Sequence, residues 1–116
     1  MQEEYENYIE INEEITLHFH DWVYDTILNR TIKELEDDNL VDVIDYISEG
    51  KREVAGFLTI LHLERRDFKT LYRYMKRAYE KSLYTRKIYN RKAHNQLLKQ
   101  FRNLVEMFIK DERFGE

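Results

Sequence analysis

The chain contains no proline and only three glycines, Gly50, Gly56 and Gly115. Proline's fixed φ and missing N–H end helices, so a chain without it is free to run long ones. Strand-rich folds spend glycine on their turns, which this sequence can do little of. The expectation is an all-α fold: an antiparallel bundle of four to five helices in a single domain over residues 1–116. Apolar residues make up 42% of the chain, too many for a disordered one. A chain of this length should bury roughly 65% of the surface its unfolded form exposes.

Apolar spacing supports helices along the chain. Ile15, Phe19, Trp22, Val23 and Ile27 fall on one helical stripe, and Tyr8 and Ile11 extend it backwards. They predict a first helix over residues 3–29, with acidic residues crowding the first turns, where the helix dipole favours them. Residues 15–20 also alternate apolar and polar like a strand. Helix is preferred there because the stripe continues through Trp22 and Ile27 and no hairpin turn precedes it. Trp22 reads as a core anchor, with an exposed contact for a partner as the sharper alternative.

Thr31 and Glu34 have the spacing of a capping box. Asn39 and Asp42 offer a second helix start, followed by an inward stripe of Leu40, Val43, Ile44 and Ile47. Asp42, Asp45 and Glu49 then face outward, and Gly50 sits where a C-terminal cap glycine belongs. A third helix is predicted over 52–62, with Val54, Phe57, Leu58 and Leu61 inward, although 57–63 also tolerates a strand. A fourth covers 67–89. A fifth covers 93–110, with Leu97, Phe101, Leu104, Val105 and Phe108 as its stripe.

The net charge of −4 hides a strong asymmetry. Residues 1–50 carry 15 acidic side chains against Arg30 and Lys33, a net of −13. Residues 51–116 carry 17 basic against 8 acidic, a net of +9. Such a split points to a polyanion partner, a basic partner, or one half packed on the other. Charge exchanged between two copies would make a homo-oligomer.

The basic half concentrates its charge in residues 65–92, where cations alternate with aromatics. Arg65, Arg66, Lys69, Arg73, Lys76, Arg77, Lys81, Arg86, Lys87 and Arg91 are candidate phosphate contacts, and tyrosine or arginine planes there could stack on bases. The plainer readings are a solvated helix face, or self-pairing with the acidic half. Residues 70–77 locally resemble the start of a recognition helix in TetR-type helix-turn-helix repressors, and residues 53–55 resemble the preceding helix. A helix-turn-helix joins its helices by a turn of about three to four residues. The tract from Ala55 to Thr70 is several residues longer and has no glycine at the turn.

The acidic half has a reading of its own. Carboxylates on a rigid scaffold can imitate a phosphate backbone and occupy the groove of a nucleic-acid-binding protein, a device of small mobile-element inhibitors. The candidate partner contacts are Glu10, Glu13, Glu14, Asp37 and Asp38.

Catalytic and metal chemistry finds little purchase in the sequence. There is no cysteine, which excludes disulfides and thiolate sites. His18 and His20 stand beside Asp21 and Asp25, but residues two apart on a helix face away from each other and only a strand here would bring them to one face, so no metal or cofactor is expected. Ser48 and Ser82 lack a glycine elbow, and no Gly-rich phosphate loop occurs. The acidic start is unlike a signal peptide, and no apolar run approaches the ~20 residues of a membrane span. The expectation is a cytoplasmic, non-enzymatic binding or regulatory protein of phage-like character. Its partner would be nucleic acid at the 65–92 ridge, or a protein docked on its charged faces.

Overall fold

The computed structural model describes residues 7–50, 56–85 and 90–115. In chain order the elements are β1 (Asn7–Asn12), β2 (Ile15–Phe19), α1 (Asp21–Asp37), α2 (Val41–Gly50), β3 (Phe57–Thr59), α3 (Arg65–Leu83) and α4 (Arg91–Ile109). The fold is therefore α+β, which corrects the all-α expectation. Four helices accompany a three-stranded sheet in the order β2-β1-β3.

The largest departure lies in the first helix predicted from sequence, whose N-terminal half is a β-hairpin. β1 and β2 pair antiparallel, with Tyr8 opposite His18 and Ile9 opposite Leu17. Asn7, Ile9 and Ile11 point inward and are buried, while their neighbours lie half-buried on the other side. The hairpin turns without glycine. The Asn12 side-chain oxygen accepts the Glu14 N–H at 2.8 Å and the Ile15 N–H at 2.9 Å. An asparagine side chain thus supplies the turn chemistry that a glycine pair would otherwise supply.

β3 replaces part of the third predicted helix and pairs parallel to β1, with Tyr8 beside Phe57 and Glu10 beside Thr59. Residues 56 and 60–62 of that expected helix are loop and turn, and residues 52–55 lie outside the described residues. A parallel pair needs a long crossover, and α1 and α2 occupy it. Gly56 is required at the entry to β3. Its N–H donates to the Asn7 side chain at 2.7 Å, and a Cβ there would sit 2.3 Å from the Tyr24 ring.

α1 begins at Asp21 and runs unbroken through the Thr31–Glu34 spacing that suggested a helix start. The Thr31 hydroxyl donates instead to the Ile27 carbonyl at 2.9 Å, inside the helix. Asn39 is not a cap either. It adopts φ 60° in the turn between α1 and α2, a left-handed conformation that asparagine tolerates better than most residues. α4 follows the sequence closely, whereas α3 ends at Leu83, short of the expected 67–89, of which residues 86–89 lie outside the described residues. The Asn90 side chain accepts the Ala93 N–H and caps α4. Strand and turn occupy residues 57–62 ahead of α3, so the helix a helix-turn-helix would need is not there.

The core lies where the sheet's inner face meets α1, α3 and α4. Ile9, Ile11, Phe19, Ile27, Leu28, Phe68, Met75, Phe101 and Phe108 are all buried there. Phe68 and Phe108 stack at 5.0 Å, and Tyr79 meets Phe101 edge-on at 5.5 Å. Such aromatic pairs add about 1 kcal/mol each beyond the area they bury.

Arg113, just past α4, joins several of these elements. It donates to the carbonyls of Ile60 at 2.8 Å, Leu63 at 2.7 Å and Ile11 at 2.8 Å. Its guanidinium also forms two bonds to Asp111 and lies 4.1 Å from the Phe68 ring centroid. Asp111 in turn accepts from Asn12 at 2.8 Å. One arginine thereby ties the end of α4 to β1, to the turn after β3 and to α3.

Candidate interaction surfaces

The basic ridge is divided by the way α3 packs. Phe68, Leu71, Tyr74, Met75, Ala78 and Ser82 face the interior. Arg77 and Lys81 lie on the flank turned toward α1, where Lys81 reaches Glu34 at 2.9 Å and Arg77 reaches Asp38 at 3.6 Å. Glu34 is only 4% exposed. Its second oxygen has no hydrogen-bond partner among the described residues and lies 4.0 Å from Arg77. The Tyr74 hydroxyl donates to Asp38, and that bond raises the phenol's pKa. Beside them Arg30, whose pKa is lowered by burial, donates to the Ser82 hydroxyl at 2.7 Å. Two members of the ridge thus neutralise acids of the chain's own first half.

The other cations are placed differently. Arg66, Lys69, Arg73 and Lys76 are three to four residues apart and share one stripe of α3, in which Arg66, Arg73 and Lys76 are exposed and Lys69 is half-buried. Arg66 lies 3.8 Å from Asp67. Arg73 sits 5.8 Å from the Tyr74 ring, and Lys76 sits 6.0 Å from the Tyr72 ring. Arg65 donates to the Gly115 carbonyl. Arg91 is exposed in the first turn of α4. Arg86 and Lys87 lie outside the described residues.

The acidic candidates occupy two separate elements. Glu13 and Glu14 are exposed at the hairpin turn and line a cleft of about 530 Å³ with Leu61 and residues 110–113. Glu10 lies on the sheet's outer face, where it accepts from the Thr59 hydroxyl at 2.7 Å. Asp37 and Asp38 close α1, and Asp38 is engaged by Arg77 and Tyr74. Glu36 is exposed beside them in α1, and the exposed acids Asp42, Asp45 and Glu49 continue along α2.

Two features depart from the preferred sequence reading. The sheet's outer face carries an aromatic trio across all three strands: Tyr8 lies 5.2 Å from His18 and 5.0 Å from Phe57, ring centre to ring centre. Trp22 is 41% exposed on the first turn of α1 and does not anchor the core. The alternation of residues 15–20 was the available signal for both, because a strand ending at Phe19 puts His18 and Tyr8 on one face and delays the helix to Asp21.

Among the described residues, no group of His, Asp and Glu could hold a metal ion, and no helix is long and apolar enough to cross a membrane.

These features define a small α+β protein with charged and aromatic faces and a well-packed core. No protein-family model matches the chain, and no curated protein matches it in sequence. A solved structure does match in fold: a chain from the complex of the CdiA-CT toxin from Burkholderia pseudomallei E479 with its cognate CdiI immunity protein. The likeness has a TM-score of 0.76 at 16% identity and covers 94% of this chain and 99% of that one. At that identity the likeness is one of fold.

Proposed function

We propose that this chain is a non-enzymatic, protein-binding protein of the inhibitor or immunity kind, docking on a basic partner through its acidic surface without touching nucleic acid itself. The observation that carries this reading is the likeness of the fold to a chain from a toxin–immunity complex, met here by a broad exposed acidic surface. Pairing within the fold takes Arg77 and Lys81 together with Glu34 and Asp38. The acidic group keeps Glu13, Glu14, Glu36, Asp37, Asp42 and Asp45 exposed. The matching fold occurs in a complex of a toxin with its immunity protein, which supports a protein partner over a nucleic-acid one. Carboxylates held on rigid helices and a hairpin would take the place of phosphates and steer a cationic partner in.

The test is co-expression of the full chain with each protein encoded beside it, followed by size-exclusion chromatography with light scattering. A 1:1 complex with one basic protein is expected. It should weaken as salt rises and be lost when Glu13→Lys, Glu14→Lys, Asp37→Lys and Asp42→Lys are combined. The opposing result is tight binding of a 20-base-pair duplex at about 50 mM salt, abolished by Arg73→Glu and Lys76→Glu. It would return the function to the exposed stripe of α3.

A further inference from the structure

We infer that the outer face of the sheet, centred on Tyr8, His18 and Phe57 and flanked by Glu10, Glu13 and Glu14, is the docking site for an arginine-bearing segment of the partner. This rests on the protein-binding reading above and gives that reading a location and a chemistry.

A soluble sheet normally turns its apolar residues to the core and leaves its other face polar. Here the inner residues Ile9, Ile11 and Phe19 satisfy the core, yet the outer face still carries three rings, one from each strand. Phe57 is 40% exposed on the edge strand β3, and His18 is exposed on the opposite edge strand β2. Tyr8, between them, contacts both rings, so the trio forms a continuous strip at right angles to the strands.

Among the described residues of the three strands and the hairpin turn, the charged side chains apart from the imidazole of His18 are all carboxylates. None of the three strands contains a lysine or arginine. Glu10 lies one residue pair further along the same face, held by Thr59 at 2.7 Å, and the hairpin turn beyond adds the exposed Glu13 and Glu14. A row of rings followed by carboxylates fits a guanidinium better than an ammonium. The guanidinium plane stacks on an aromatic face while its N–H fork reaches a carboxylate. Lysine offers the charge without the plane. At the end of α1 the ring beside Asp38, Tyr74, is already occupied by its bond to that carboxylate and by Arg77, so the acids there and along α2 serve attraction at a distance and the sheet face serves contact.

The experiment titrates the isotopically labelled full chain with a blocked hexa-arginine peptide and, separately, with a blocked hexa-lysine peptide. Ring resonances of Tyr8, His18 and Phe57 should move first, and the arginine peptide should bind several-fold more tightly. Phe57→Ser with Glu10→Gln should weaken the arginine peptide at least five-fold, whereas Glu80→Gln with Glu106→Gln, exposed acids of α3 and α4, should change it less than two-fold. The folded spectrum of each variant serves as its control. Shifts confined to α2 and the end of α1, equal affinity for the two peptides, or no shift at low salt would each overturn the assignment. The same variants placed in the co-expression assay separate the two ideas. A complex that survives Phe57→Ser with Glu10→Gln refutes the sheet face while leaving the protein-binding reading standing.

Discussion

Two ion-paired regions sit on opposite ends of a scale of enclosure. At the end of α4, Asp111 and Arg113 are 3% and 15% exposed in their side chains, and the pair is woven into four backbone carbonyls and one asparagine. Between α1 and α3, Glu34 is buried but its partners Arg77 and Lys81 are 41% and 62% exposed. The first pair is a structural joint, because its loss strands hydrogen-bonding groups that no water replaces easily. The second joins two charged helices through partners that remain solvated, which screens its value. Charge counted along the sequence does not distinguish them. Enclosure does.

The sharpest way to test that contrast is Arg113→Ala. It removes every bond of the clamp and leaves Asp111 buried beside unpaired carbonyls, so we expect a loss of about 3–5 kcal/mol in urea unfolding. A loss below about 1 kcal/mol would show that the clamp is incidental to the fold.

A smaller effect should appear with pH. The bonds from Arg113, reinforced by Asn12 and opposed by burial, hold the Asp111 carboxyl down at about 2, against 3.8 for an ordinary aspartate. A group whose folded pKa is depressed contributes fully above the unfolded value and loses that contribution as pH falls through the folded one. Stability should therefore decline between about pH 4 and pH 2, by about 2 kcal/mol from this residue. Asp111→Asn should flatten that part of the profile, measured by thermal unfolding across the range. An unchanged acid limb would remove Asp111 as its origin.

The smallest effects are expected at the α1–α3 interface and on the exposed stripe. Glu34→Gln should cost about 1 kcal/mol, since its cationic partners keep much of their hydration. Arg73→Glu with Lys76→Glu should stay within about 0.5 kcal/mol. If the stripe variant proved the more damaging of the two, the division of the ridge between self-pairing and open surface would be wrong.

Much of the helical part of the fold was legible in the sequence. The apolar stripes at 68–79 and 97–108 persist over several turns, and a period sustained that long admits one reading. The charge split was equally legible, though not its disposition, because Arg77 and Lys81 differ from Arg73 and Lys76 only in which flank of α3 meets α1. The sheet was hidden for a local reason. Its hairpin turns on the side chain of Asn12, so the glycine that would have announced it is absent. Its third strand is three residues long, too short for a periodic signal to separate from a helix.

By itself the sequence determined the amphipathic helices, the acidic and basic halves, and the lack of cysteine chemistry, since each follows from residue type or near-neighbour spacing. Only the tertiary structure decided that residues 7–19 are paired strands, that Phe57 lies beside Tyr8, and that Arg113 joins elements about 50 and 100 residues away in the chain. Those are pairings between distant segments. Their free energy comes from groups that meet only when the chain has closed, and no local pattern records a partner so far along it.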